Sequence, residues 1–257
     1  MNLLRESHST AKGSRPFSKN RLKVSAVLAK DISFTITACR RPELLNRTLS
    51  SFSRGLIDAN LNDFDAYVNI DPLPAGEQSD EVVEVATQYF RHVQFRTPKI
   101  ANFCSAVKWV WSQPETEFFF HLEDDWELTK PFHLAALVRI LNRRRLLPFF
   151  SRRAAVNLNV YNFSDSRICL SPGLLRGAFG RYAATQLDEQ YNPERQLRTD
   201  NAMACPTIPH LNLFRGHFYG GKENVQFCRD IGREWRSRRK VSRLPDDPCL
   251  FTTWETK

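Results

Sequence analysis

The segment Phe118-Phe119-Phe120-His121-Leu122-Glu123-Asp124-Asp125-Trp126 runs from residues typical of a buried strand straight into three consecutive acids. A core strand that exits this way must hold three negative charges side by side, and their repulsion has to be met by a cation or by solvent. Oxygen donors at a strand end suit a hard divalent ion, Mg²⁺ or Mn²⁺, shared with the phosphates of a nucleotide. The plain alternative is an exposed acidic turn that binds nothing.

Strand and helix patterns alternate around this segment. Ile32, Phe34 and Ile36 alternate with Ser33, Thr35 and Thr37, and the strand stops at Cys39-Arg40-Arg41-Pro42. Pro42 suits a first helical turn, and Leu44, Leu45, Thr48, Leu49 and Phe52 follow at helical spacing. Further patterns predict a strand over 64–70 closed by Asp71-Pro72, a helix over 81–90 and a short strand over 93–95. A helix over 101–111, the acid-bearing strand over 117–122, a helix over 131–142 and a strand over 154–160 complete the series.

This alternation predicts an α/β fold, a Rossmann-type sandwich with a mostly parallel central sheet that binds ligands outside the carboxyl ends of its strands. Three polar clusters fall at such ends, over 37–41, 69–71 and 123–125. Past residue 160 the pattern gives way to loops with Pro172, Gly173, Gly177, Gly180, Pro193, Pro206 and Pro209. This part is expected to cover the crevice rather than extend the sheet. The expected organisation is a basic, flexible tail over 1–30 and a single domain over 31–257. Its first half spans about 31–160 and its second about 161–257.

Composition narrows the function classes. The net charge of +9, with runs at Arg143-Arg144-Arg145, Arg152-Arg153 and over 236–243, favours polyanionic partners such as nucleic acid, phosphate-rich glycans or anionic lipid surfaces. The six cysteines have no paired short spacing, so neither a zinc ribbon nor a compact disulfide framework is indicated, and most are expected to be reduced. No membrane span or secretory signal is legible, which sets a cytoplasmic expectation with peripheral membrane contact allowed. Gly-x-Gly-x-x-Gly and the P-loop pattern are absent, which argues against dinucleotide-binding Rossmann enzymes and P-loop ATPases.

The same residues resemble the GT-A-fold, nucleotide-sugar-dependent glycosyltransferases of the broad family 2-like kind. Phe34-Thr35-Ile36-Thr37-Ala38-Cys39-Arg40-Arg41-Pro42 is similar to the first strand and nucleotide-holding loop of that fold, and Asn69-Ile70-Asp71 to its second-strand acid near the base or ribose. Glu123-Asp124-Asp125 stands where the family carries its Asp-x-Asp metal motif. The resemblance implies Asp125 as the metal ligand, with Glu123 and Asp124 left to ribose or sugar and His217 completing the shell around Mn²⁺ or Mg²⁺. It further implies a donor site built from Thr37, Ala38, Arg40, Arg41, Asp71, Asn102, Glu123, Asp124 and Arg233. The stretch from Leu170 to Arg176 and Asn192-Pro193-Glu194-Arg195-Gln196-Leu197 resembles the acceptor side, which makes Glu194 the candidate base of an inverting transfer. The implied partners are a nucleoside-diphosphate sugar and a glycan or lipid-linked acceptor, with no nucleic acid.

Each of these residues has a second reading. Asp188, Glu189 and Asp200 are alternatives to Glu194, which itself reads equally as a loop acid paired with a neighbouring arginine. His217 reads also as a loop histidine bonded to backbone, Asp71 as a turn former and Asn102 as a helix cap. Trp109, Trp111 and Trp126 are suited to stacking on a sugar or base and equally to the core. Two other function classes compete: a basic nucleic-acid-binding protein with a structural acidic turn, and a metal-dependent phosphoesterase.

Overall fold

The computed structural model describes residues 29–73, 78–142, 152–159, 168–198, 205–220, 225–250 and 253–256. Its seven-stranded sheet is built outward from β1 (Ile32–Cys39). On one side lie β2 (Asp65–Asp71) and β3 (His92–Arg96), and on the other β4 (Phe118–Glu123), all parallel to it. Beyond β4 come β7 (Gly173–Arg176), β6 (Arg152–Asn157) and the edge strand β8 (Phe214–Phe218). β7 runs antiparallel to both of its neighbours, while β8 pairs parallel with β6.

The strand period of two divides the core between the two faces of the sheet. Phe118, Phe120 and Leu122 join Phe34 and Ile36 beneath α1 (Pro42–Gly55), α2 (Ser79–Thr87) and α4 (Leu134–Asn142). Phe119 points the other way and packs with Trp111 of α3 (Phe103–Ser112) and Phe179 of α5 (Gly177–Gln186). Pro42 opens α1, whose buried positions include Leu44, Leu45, Thr48, Leu49 and Phe52, as its spacing predicts. The aromatic run is a packing centre, with Phe120 at ring-centroid distances of 5.3 Å from Phe34, 5.9 Å from Phe52 and 5.8 Å from Phe132.

His121 shares the second face. The Trp111 Nε1–H donates to its Nδ1 at 3.2 Å, which puts the ring proton of a neutral imidazole on Nε2. Burial pushes its pKa down to about 3, so this is an uncharged core histidine.

One expectation changes. The region past residue 160 does extend the sheet, because β7 and β8 both enter it. β7 is only four residues long and begins at Gly173, where a Cβ would stand 2.7 Å from both the Asn157 Oδ1 and the Val156 carbonyl. A glycine is what admits this strand beside β6, and so short a strand leaves no readable alternation. Most of the cysteines are reduced, as expected: Cys39, Cys104, Cys169 and Cys228 are free thiols, and Cys205 and Cys249 form a disulfide. Residues 1–28 of the basic tail expected over 1–30, Arg143 to Arg145 and Asp200 lie outside the described residues. No helix among the described residues is long and apolar enough to cross a membrane.

Truncating Phe120→Ala removes the ring shared by these three contacts and is expected to cost about 3–5 kcal/mol, read from a urea denaturation curve.

Candidate functional site

The sheet order reverses between β1 and β4: from β1 the chain builds β2 and β3 to one side, then places β4 on the other. The carboxyl ends of β1 and β4 therefore border a crevice, the usual ligand position in such a sheet. A cavity of about 510 Å³ lies there, within the range of small-molecule sites. Its floor is Thr37, Ala38 and Cys39 from β1, Asp71 from β2, and Glu123 to Trp126 where β4 turns into β5 (Trp126–Leu128). β5 pairs with β9 (Cys228–Asp230), which leads into α7 (Gly232–Arg239), and these supply Asp230, Arg233 and Arg236. A hairpin of β10 (Val241–Leu244) and β11 (Thr253–Thr256) adds Arg243 and Trp254, while Glu194 of α6 (Pro193–Gln196) and Arg198 close another side.

Three adjacent acids meet three different surroundings. Asp124, 2% exposed, is gripped by Arg41 through both carboxylate oxygens, with the Nε contact at 3.1 Å. It also accepts the Cys39 amide N–H at 2.9 Å, and its own backbone binds the Thr37 carbonyl and the Thr48 hydroxyl. Asp125 presents Oδ2 to Arg41 at 3.2 Å and to Arg236 at 3.1 Å, and its carbonyl takes the Ile231 N–H. A Cβ at Gly232 would overlap the Asp125 carboxylate, so the missing side chain is what lets α7 start against this acid. Asp230 receives the Gly232 and Arg233 amides on Oδ1 and the guanidinia of Arg233 and Arg236 on Oδ2, at 3.1 and 3.5 Å.

Indole rings back these cations. Arg41 stands 5.2 Å from the Trp235 ring and Arg236 5.1 Å from that of Trp254, while the Trp235 N–H donates to Glu43 at 2.7 Å. Burial alone would lower the pKa of Arg41, but Asp124 and Asp125 outweigh it and push it up, so the buried guanidinium stays charged.

Glu123 differs. Among the described residues it accepts the Trp126 indole N–H at 2.7 Å and forms no ion pair. Burial, then repulsion from Asp125 and Glu194, pushes its carboxyl well above the usual range, against the pull of that hydrogen bond. Glu194 is therefore close enough to Glu123 to be felt by it. Asp71 is similar: burial lifts it to about 6 although Asn69 donates to it at 2.7 Å and the Asn102 amide at 3.2 Å.

Of the expected site residues, the structure brings Thr37, Ala38, Arg41, Asp71, Glu123, Asp124, Asp125, Glu194 and Arg233 to one cavity. Arg40 is directed to the Ser79 hydroxyl at 3.0 Å and is off the cavity wall. Asn102 caps α3 by accepting the Ser105 N–H at 2.9 Å, and reaches the site only through the amide it gives Asp71. His217 is half-buried on β8 and does not line the cavity. Trp111 is in the core, whereas Trp126 is on the cavity wall.

The residues expected to hold a divalent ion do not fit that role as placed. Asp124 spends its oxygens on Arg41 and an amide, Asp125 shares Oδ2 between two guanidinia, and His217 stands elsewhere. No three His, Cys, Asp or Glu side chains are grouped as donors to one ion among the described residues. Arg41 and Arg236 are the cations that stand against Asp124 and Asp125 at the acidic strand end.

Sequence reasoning passed over Arg198, Arg243, Trp254, Asn159 and Gln226, all on the cavity wall. They come from loops and from a hairpin beyond the α/β alternation, where no local pattern marks them. Asn159 is a bracket for β9: its Oδ1 accepts the Phe227 and Cys228 amides at 3.0 and 2.8 Å, and its Nδ2 donates to the Cys228 carbonyl at 2.9 Å.

No protein-family model matches the chain, and no curated protein matches it. Among solved structures it is similar to S. aureus TarS, with 12% identity over 76% of this chain and 36% of that one at a TM-score of 0.46. For TarS residues 1–349 the figures are 13% identity, 79% and 61% coverage, and a TM-score of 0.41. A cytidylyltransferase from Leptospira borgpetersenii serovar Hardjo-bovis (strain JB197) gives 10% identity, 82% and 85% coverage, and a TM-score of 0.47. The chain thus spans about a third of TarS and less than two thirds of its 1–349 fragment. Likeness at this level says nothing about individual site residues, whose roles rest on their geometry.

Removing Arg41 strands a buried carboxylate, so Arg41→Met is expected to destabilise the protein by about 3–5 kcal/mol, and adding Asp124→Leu to recover part of that loss, by denaturant midpoint. The folded protein holds the Asp71 proton more tightly than the unfolded chain does. That stabilisation is full below the unfolded pKa and disappears as pH rises through about 6. Asp71→Asn should therefore flatten a fall of up to roughly 3 kcal/mol between about pH 4 and about pH 7, followed by chemical denaturation across that range.

Proposed function

We propose that the protein is a glycosyltransferase that binds a nucleoside-diphosphate sugar in this cavity and passes the sugar to a glycan or lipid-linked acceptor with inversion. The observation that carries the reading is how the cavity sorts its charge. Guanidinium groups are knotted around Asp124, Asp125 and Asp230 on one wall, while Glu123 and Glu194 share another part of the site, with Glu123 outside any described ion pair.

A departing diphosphate needs fixed positive charge, and arginines already held by carboxylates and indole rings supply it without reorganising. In this reading Arg236, at the cavity edge of the network, turns its remaining N–H donors to the diphosphate. Arg41, sealed beneath, holds the floor in place. As the bond between the anomeric carbon and the phosphate oxygen breaks, the acceptor oxygen attacks from the opposite face. Its proton goes to the Glu194 carboxylate, and the diphosphate leaves with the bonding electron pair. Glu123, whose carboxyl the site biases toward its neutral form, faces a sugar hydroxyl, and Asp71, beside the β1 loop, serves the nucleoside end. The buried, partly apolar floor keeps water from competing with the acceptor.

Uridine or guanosine diphosphate at about a hundred times its Kd is expected to add ~2.7 kcal/mol of stability in a thermal-shift assay, with Arg236→Gln losing most of it. This protection should survive a chelator; its loss in EDTA would assign the charge compensation to a divalent ion entering with the nucleotide. Glu194→Gln is expected to lower kcat by about 10²–10⁴ in a nucleotide-sugar transfer or hydrolysis screen while leaving nucleotide protection in place. A protein that no common nucleotide stabilises, with or without Mn²⁺, would not be this enzyme.

A further inference from the structure

The β10–β11 hairpin forms one wall of the cavity through Arg243, Thr253 and Trp254. Val241 and Trp254 pack at the margin of a small cluster of Leu44, Leu73, Ile231 and Trp235, the Arg236 guanidinium lies 5.1 Å from the Trp254 ring, and Arg243 and Leu244 are exposed. Contacts at the protein surface of this kind open at a lower cost than core packing. A covalent fastening lies between the hairpin's strands. Cys249 is disulfide-bonded to Cys205, across 44 residues of chain.

Asn192, 2% exposed, completes the fastening. Its backbone N–H donates to the Cys249 carbonyl at 2.7 Å and its Nδ2 to the Pro248 carbonyl at 3.0 Å, while its Oδ1 accepts the Glu194 amide at 2.9 Å. One buried side chain thus joins the hairpin's loop to the first turn of the helix that carries Glu194. The disulfide and the Asn192 backbone bond meet at Cys249 and the Asn192 side chain holds Pro248 beside it, so a loosened sulfur linkage shifts the partners of both.

We propose that Cys205–Cys249 is a thiol-responsive clasp: oxidised, it holds the hairpin against the cavity and Glu194 in register; reduced, it releases the wall and lowers affinity for the nucleotide ligand. Asn192 is the positioning residue that passes the change to Glu194. The exchange is a two-electron one. A dithiol's thiolate attacks one sulfur, its second thiol closes a cyclic disulfide, and Cys205 and Cys249 leave as thiols carrying two protons; a low-molecular-weight disulfide reverses it. The ligand half of this inference rests on the proposed function, and the structural half does not.

The test uses the full chain, oxidised and after dithiothreitol, with alkylation and mass measurement to count released thiols. Amide hydrogen exchange is followed over the hairpin and over β1, and uridine and guanosine diphosphate binding by calorimetry. Reduction is expected to speed exchange in residues 241–250 by at least about tenfold with β1 unchanged, and to weaken nucleotide binding by about tenfold. Cys205→Ser with Cys249→Ser should behave as the reduced protein under both conditions. Asn192→Ala should loosen the hairpin without touching the sulfurs and reduce kcat more than it changes KM.

Unchanged exchange and unchanged affinity after both thiols are shown to be released would overturn the clasp. Loss of protection throughout β1 would overturn it as well, because the bridge would then be a staple of the whole fold. A hairpin that opens on reduction in a protein that binds no nucleotide in either state would uphold the clasp and retire the donor reading.

Discussion

A buried guanidinium organises this molecule. Arg41, at the end of the first strand, is 5% exposed and grips Asp124 and Asp125 at the end of the fourth, so the two strands that border the crevice are joined by charge where their hydrogen-bond ladder ends. Asp125 extends the link to Arg236 and so to α7, and Trp235 covers Arg41 from that same helix. An ion pair this deep is costly to desolvate and holds only where every remaining donor and acceptor finds a partner. The Cys39 amide on the Asp124 carboxylate and the Asp230 carboxylate on Arg236 are among them. Its contribution is to fix position: the strand ends, the first helix of the sheet and a helix from the far end of the chain are set against one another.

Much of the first half was legible because it depends on local rules. Alternation in β1 and the helical spacing after Pro42 correspond to elements within a residue or two of their predicted bounds. The run at 118–123 was readable for the same reason, and its period of two divides it between two hydrophobic layers as a central strand must be. β7 and β8 were not readable as parts of the sheet. Their place is set by what they pair with, and four or five residues between loops carry too little pattern to declare a partner.

For the site, sequence reasoning found the residues at strand ends, where topology alone directs side chains to the crevice: Thr37, Arg41, Asp71 and the three acids. It could not foresee how the acids would differ. Asp124 and Asp125 find guanidinia and Glu123 finds an indole, because consecutive residues leaving a strand point in different directions and only the fold determines what stands there. The resemblance put a metal on Asp125 and His217 from their spacing, which carries no information about the two arginines against Asp125 or about His217 lying away from the cavity. Arg243 and Trp254 were invisible for the opposite reason: nothing in a short C-terminal hairpin marks it as a wall of a site built by the first half of the chain.

The antiparallel strand β7 has one more consequence, for the order of assembly. It lies between β4 and β6, both of which precede it along the chain. Until residues 173–176 arrive, each of those strands keeps a bare edge whose amides and carbonyls are open to any passing strand. The sheet is thus completed by insertion rather than by growth from one side, and synthesis must have passed residue 176 before its middle can close.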